Sequence, residues 1–249
     1  MDDMNWNRYK YRQFAQEACQ PAQDLAKRVD ILVRTAVDLG CGYGQSTKVL
    51  DEVFHEAEVT GVDRNPEIIR LARQKHPECR FVQADLMSLQ GRYDLVFSNA
   101  ALQWVPDHEN AIWRLMKNLN EDGVLAVGFP QTKGEPLFDI FEELIQKYFP
   151  EYPVRWNALE AAEYHRILQS CASSFDYWET DYYYHGFDPE AMMDWLVNAR
   201  LEPLDPDLKE ETVQALAAEL KERVAGAYQM DENGHILLKI HRIFFTAVR

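Results

Sequence analysis

Short apolar runs alternate with longer amphipathic stretches through the first half of the chain. Ala36–Leu39, Glu58–Asp63, Cys79–Gln83 and Tyr93–Ser98 have the length and apolar content of buried parallel strands. Between them, Ser46–Phe54 and Pro66–Lys75 repeat apolar residues at helical spacing. Pro66 stands early in its helix, where a missing N–H does no harm. Asn110–Leu119 reads as a third helix, with Trp113, Met116 and Leu119 on its inward stripe. Asp122-Gly123 then turns the chain into a fifth strand, Val124–Phe129, which Pro130 stops. Such alternation predicts a parallel sheet with helices on both faces and right-handed crossovers.

The second half is less regular. Leu137–Tyr148 reads as a helix closed by Pro150 and Pro153, and His165–Ser170 as a helical piece. Phe175–Tyr184 is a strand of unusual aromatic density, along which Tyr182, Tyr183 and Tyr184 alternate between faces. Pro189–Asn198 and Asp207–Tyr228 read as helices, with Met192, Trp195 and Leu196 as core residues of the first. Asp231-Glu-Asn-Gly234 is a turn signal. Ile236–Val248 is the closing strand, antiparallel to its neighbours. The expectation is one α/β domain over residues 1–249 with a doubly wound, mostly parallel, seven-stranded sheet. Residues 1–30 would form an N-terminal helix or lid, 31–130 the ligand-binding core, and 185–230 an inserted helical cap.

The polar positions at the ends of these strands point to chemistry. After Leu39 the chain reads Gly40-Cys-Gly-Tyr-Gly44 before the next helix opens. Glycines at this spacing allow tight turns and let a ligand approach the backbone, and the amides opening the helix face that ligand. The spacing is GxGxG rather than the GxGxxG of dinucleotide sites, so a phosphate cradle is the weaker reading. Asp63 ends the second strand, where a carboxylate can accept hydrogen bonds from both hydroxyls of a ribose. Asp85 stands at the tip of the third strand and Asn99 at that of the fourth. One acid at a strand end is more often a helix cap. With Asp38 near the end of the first strand, four polar tips along one edge are hard to explain by capping alone.

Composition narrows the class. A chain of 249 residues with 47% apolar content can build one sizeable core. No stretch approaches the roughly 20 apolar residues that span a bilayer. The polar, acidic first residues are unlike a targeting peptide, and Cys19, Cys41, Cys79 and Cys171 are scattered without metal-ligand spacing. A cytoplasmic protein with free thiols and no metal is expected. The net charge of −15, from 41 acids against 26 bases, repels nucleic acid and anionic membrane. A polyanionic small molecule would need a local basic pocket. Nothing in the pattern fixes an oligomeric state.

DLGCGYG, VTGVD, QAD and FSNAALQW together resemble the consecutive motifs of class I S-adenosylmethionine-dependent methyltransferases, with their Rossmann-like fold. The closer likeness is to the trans-aconitate 2-methyltransferase subgroup, through Trp6-Asn7 with Tyr11 and Phe14, Asn99–His108, Gly123–Val127, Glu135-Pro136, Asp194-Trp195 and Glu232-Asn-Gly234. The resemblance implies S-adenosyl-L-methionine as cofactor, with Tyr11 and Phe14 as a lid. It implies Asp38 and the backbone of Gly40, Gly42 and Gly44 at the methionine end. Asp63 would take the ribose, Asp85 and Leu86 the adenine edge, and Asn99 the mouth near the sulfonium. Arg64 stands where relatives often carry an apolar residue, and its guanidinium can stack on the adenine.

For the methyl acceptor the candidates are Gln103, Trp104, His108 and Tyr182. His108 either orients a substrate or faces solvent from a first helical turn. A carboxylate nucleophile is already ionised at neutral pH and needs no general base. The implied partner is a small carboxylic acid, trans-aconitate among the choices. The alternatives are an acid bound to an acyl carrier protein, of the malonyl type, or a silent binder of the donor. Relatives that act on trans-aconitate tend to carry arginine where this chain has Gln20 and Glu202. Arg155, Arg166, Arg200 and Arg242 are the available replacements.

Overall fold

The structure, a computed structural model, describes residues 19–131, 134–150, 157–186, 210–229, 232 and 236–249. Tyr11, Phe14, Arg155, Arg200, Glu202 and the Pro189–Asn198 helix lie outside the described residues. The strands are β1 Thr35–Leu39, β2 Glu58–Asp63, β3 Arg80–Gln83, β4 Tyr93–Asn99, β5 Leu119–Pro130, β6 Ser174–Gly186 and β7 Ile236–Val248. The helices are α1 over 19–26, α2 Gln45–Val53, α3 Pro66–Lys75, α4 His108–Lys117, α5 Pro136–Tyr148, α6 Ala161–Cys171 and α7 Glu210–Ala227. None of the described helices is long and apolar enough to cross a membrane.

The strands form one seven-stranded sheet in the order β3-β2-β1-β4-β5-β7-β6. Neighbours from β3 to β5 are parallel, and β7 runs antiparallel to β5. This is the mostly parallel, doubly wound sheet expected from the alternating pattern. The strand order reverses between β1 and β4, which opens a crevice at their carboxyl ends.

Local chemistry sets the element ends. The Asn65 side chain accepts from the Glu67 and Ile68 amides, Pro66 supplies a preset first position, and Arg73 and Lys75 close α3 against its dipole. Asp107 caps α4 through the Asn110 amide at 3.0 Å. That cap starts α4 two residues earlier than expected and changes which face is read as inward. The buried stripe is His108, Ala111, Ile112, Leu115 and Met116. Trp113 is 39% exposed and Leu119 belongs to β5, so neither lies on a buried helical stripe as the pattern suggested. β5 runs unbroken through Asp122-Gly123, where a turn was expected ahead of the strand. Asp122 takes a left-handed backbone at φ 59°, and the register against β4 shifts between Tyr93 and Leu95.

The described parts of 18–130, 156–180 and 242–249 form one compact unit. Its core sets Val37, Val96, Leu125 and Phe245 from the sheet with Ile112 and Leu115 of α4 and Tyr164 and Ile167 of α6. The described parts of 131–155 and 181–241 form another, in which Leu137 and Phe141 of α5 pack with Leu216 and Leu220 of α7 and with Tyr184, Leu238 and Ile240.

Candidate functional site

The carboxyl ends of β1, β2 and β4 carry the polar tips. β1 pairs Asp38 with Gly61 on one side and with Phe97 on the other, so the loops after these strands emerge side by side. The glycine loop is then pinned by its own amides. Gly40 and Cys41 both donate to the Val62 carbonyl, at 2.8 and 3.0 Å. Two glycines are required by geometry. Gly40 has φ +67°, and a Cβ there would lie 2.2 Å from the Cβ of Ala101. Gly44, at φ +89°, begins α2, and a Cβ there would meet the Phe81 ring at 2.6 Å. The absence of side chains thus brings the β1 loop against the β4 loop.

Asp38 is fully buried. Its Oδ2 accepts from Ser46 Oγ at 2.6 Å and from Thr47 Oγ1 at 2.7 Å, both in the first turn of α2. Its Oδ1 is buried and has no hydrogen-bond partner. Burial pushes this carboxyl up to about 6, the two hydroxyls pull it down, and the nearby Asp63 charge adds to the rise. Leaving a carboxylate oxygen buried and unmatched is costly, and a cationic N–H group there would relieve the cost. The primary amine of an amino acid meets that description. Ser46 and Thr47 were not singled out from the sequence, although two hydroxyls opening the helix after the glycine loop are a readable signal.

Asp63, half-buried, has Oδ2 on the Gly42 amide at 3.2 Å and Oδ1 on the Asn65 amide at 2.9 Å. Each oxygen keeps a lone pair that can accept a ribose hydroxyl. Arg64 beside it is exposed, and its carbonyl accepts from Gln83 Nε2. Asp85 is exposed and caps the 3-10 turn Leu86–Ser88 through the Met87 amide at 2.7 Å. Leu86 is half-buried against the larger core. Cys41 is buried, and burial pushes its thiol up, which suits a small filler.

At the end of β4, Asn99 accepts from an Arg242 N–H on its Oδ1 at 2.7 Å. Ala100 follows with a left-handed backbone, φ 60°, and donates its amide to the Gly128 carbonyl at 2.7 Å. Strain of this kind in a non-glycine residue gathers at ligand sites. Gln103 is 2% exposed; its Nε2 bonds the Ala100 carbonyl, and its Oε1 is buried without a partner. Trp104, half-buried, closes the 3-10 turn Leu102–Trp104. Asn157 holds the Gln103 carbonyl from its backbone at 3.0 Å.

His108 does not face solvent as one of its two readings had it, and its Nε2 is buried without a hydrogen-bond partner. It is 2% exposed because α4 begins at His108 and places it on the buried stripe. Its Nδ1 meets Tyr164 Oη at 2.5 Å, and its ring packs edge-on to Phe129. Burial lowers its pKa to about 4, against smaller opposing effects of the Leu102 carbonyl and Asp107. The ring is therefore neutral at pH 7. Tyr182 belongs to the other unit, where it packs against the cluster around Leu137 and Leu238. Of the arginines named as replacements, Arg166 is an exposed partner of Glu109. Arg242 is buried.

A family model described as "Methyltransferase domain" matches residues 37–127. The chain is 36% identical over 250 residues to trans-aconitate 2-methyltransferase of Escherichia coli (strain 55989 / EAEC), covering 98% of each. It is equally similar to the enzyme of that name from Shigella flexneri, with the same coverage. Among solved structures it resembles the YcgJ protein of Bacillus subtilis, with a TM-score of 0.59, 16% identity, and 92% of this chain and 97% of that one covered. It also resembles Haemonchus contortus phosphoethanolamine N-methyltransferase 2 bound to S-adenosyl-L-methionine, with a TM-score of 0.57, 14% identity, and 92% of this chain and 52% of that one covered.

Proposed function

The chain belongs to the S-adenosylmethionine-dependent methyltransferases, in the family of the trans-aconitate 2-methyltransferases, and on that premise we propose that it methylates a carboxylate oxygen of a small organic acid. Its cofactor is S-adenosyl-L-methionine, which when bound supplies an electrophilic methyl group on a sulfonium. The full-length likeness to enzymes of one name carries the reading, with trans-aconitate as the acceptor.

The chain's own residues divide the work as follows. Asp38 holds the amine of the donor on its unmatched Oδ1, while Ser46 and Thr47 keep the carboxylate aimed. The glycine loop admits the backbone of that amino acid, and Asp63 takes the ribose hydroxyls. Asp85, Leu86 and Arg64 border the adenine, and Asn99 stands at the reacting end. Methyl transfer then needs an in-line approach and the exclusion of water more than it needs proton transfer. A carboxylate acceptor fits, because it arrives ionised.

The test pairs calorimetric titration of the donor with a methylation screen over di- and tricarboxylic acids and carrier-bound acids. Turnover of trans-aconitate above that of other acids is the expected result. Turnover confined to carrier-bound acids would overturn the acceptor class. Tight donor binding with no turnover of any acid would make the protein a silent binder.

A further inference from the structure

We propose that the side-chain oxygen of Gln103 receives the methyl-bearing sulfonium of S-adenosyl-L-methionine, and so separates the charged donor from its demethylated product. The inference rests on the donor-site reading above and adds one residue to that site. Asp38 Oδ1 and Gln103 Oε1 share a property: each is a buried side-chain oxygen that no protein group matches. Asp38 stands on the β1 side of the rim. Gln103, 2% exposed, stands in the loop that follows β4. That loop lies on the glycine loop, with Ala101 filling the space a Cβ at Gly40 would need.

Chemistry sets the direction of the amide. One end lies 2.7 Å from the Ala100 carbonyl, which can only accept, so that end is the NH2 and Oε1 is left over. The backbone around it is held on both sides. Ala100, at φ 60°, donates its amide to the Gly128 carbonyl at 2.7 Å, and the Gln103 carbonyl accepts from the Asn157 amide at 3.0 Å. The nearest titratable side chain along the loop does not serve Oε1. His108 Nε2 is itself unmatched, so the two are not bonded to each other.

A buried, unmatched oxygen is costly, and a ligand group rich in polarised hydrogens relieves the cost. The methyl acceptor is not that group, because a carboxylate brings lone pairs alone. A sulfonium is. Its charge is spread over the hydrogens of the attached carbons, which a carbonyl oxygen can receive as C–H···O contacts. Position agrees with chemistry. With the amine on Asp38 and the ribose on Asp63, the sulfur between them lies along the glycine loop that Ala101 covers. After transfer to the carboxylate oxygen, the C–S electron pair stays on sulfur and Gln103 faces a neutral thioether. The same oxygen then holds the product less well than the donor.

The experiment is calorimetric titration of the full chain with three ligands: S-adenosyl-L-methionine, S-adenosylhomocysteine, and sinefungin, which carries an ammonium in place of the methyl sulfonium. Gln103→Leu should weaken S-adenosyl-L-methionine about 5-fold. Sinefungin, whose N–H groups bond the oxygen more strongly, should weaken about 30-fold. S-adenosylhomocysteine should stay within about 2-fold. Equal losses for all three would mean that Gln103 only braces the β4 loop, and would overturn the proposal. So would unchanged affinity for all three. If Gln103→Leu does not fold, the wild type decides through the proton resonance of isotopically methyl-labelled S-adenosyl-L-methionine. A C–H···O contact should move that resonance downfield on binding; a bound methyl that stays put or moves upfield refutes it. Wild-type protein that binds neither S-adenosyl-L-methionine nor S-adenosylhomocysteine defeats the donor-site reading itself. Wild-type binding with a donor-to-product ratio that Gln103→Leu does not alter defeats this proposal alone.

Discussion

Two aspartates at opposite ends of the same sheet show how differently one side chain can be used. Asp94, near the amino end of β4, has every face of its carboxylate engaged. Its Oδ2 accepts from the Arg34 and Thr35 amides, both at 2.9 Å, and from Thr35 Oγ1 at 3.1 Å; its Oδ1 accepts from Asn120 at 2.7 Å. Burial alone would raise its pKa, but the bonds from Asn120, Arg34 and Thr35 outweigh that and hold it below the usual carboxylate range. Asp38, near the carboxyl end of β1, has two hydroxyls on one oxygen and nothing on the other, and sits at about 6. A saturated carboxylate stitches β1, β4 and β5 together. A half-saturated one, held buried by the fold, is what the proposed donor site would use.

The sharpest way to break that contrast is Asp38→Asn. The amide oxygen keeps Ser46 and Thr47, but the charge that meets the amine is gone. Donor affinity should fall by about 100-fold or more in calorimetry. Stability without ligand should hold or rise. Folding lifts this carboxyl from 3.8 to about 6, so the ionised form at neutral pH costs on the order of 3 kcal/mol that the amide does not. Asp94→Ala should do the reverse. Losing the acceptor of four donors should lower stability by about 3 kcal/mol in denaturant titration, with donor affinity within about 2-fold. A stable Asp94→Ala protein, or an Asp38→Asn protein that binds normally, would erase the distinction.

Acid sharpens it further, because the two buried groups of the rim and its wall titrate with opposite sign. His108 is depressed to about 4, so its contribution is intact above 6.5 and is lost as pH falls from 6.5 through 4. By itself that amounts to about 2 kcal/mol at pH 5. Asp38 is raised, so its penalty fades as pH falls through 6 toward 3.8. The two partly cancel in the wild type. Asp38→Asn should therefore show a steeper loss of stability between pH 6 and 4 than the parent, measured by denaturant midpoints across pH. Donor affinity of the wild type should weaken over the same range as Asp38 takes up its proton. The smallest expected effect is Arg166→Ala, which breaks an exposed pair with Glu109 and should leave both the denaturant midpoint and the acceptor KM unchanged.

The donor edge of this fold is legible because it depends on short-range rules. An apolar run of strand length, a glycine loop and an N-cap such as Asn65 are all written within a few residues, and α3 matches its expected bounds of Pro66–Lys75. What escaped the sequence depends on phase and on long-range register. The burial of His108 escaped because the Asp107 cap moves the start of α4 and rotates the buried stripe onto it. The Asn99–Arg242 contact spans 143 positions and exists only because β7 lies antiparallel beside β5. Asp94 carries no local signal, since its four donors come from Arg34, Thr35 and Asn120, far away in the chain. The unmatched Asp38 Oδ1 is likewise a property of packing, visible only once α2 has placed Ser46 and Thr47 on the other oxygen.

A crystal structure with S-adenosylhomocysteine bound is the most direct measurement of the donor site. The amine should lie within hydrogen-bond distance of Asp38 Oδ1, with the ribose hydroxyls on Asp63. A ligand lodged elsewhere, or an amine turned away while Oδ1 stays unmatched, would contradict the assignment of the β1–β4 rim as the methyl-donor pocket.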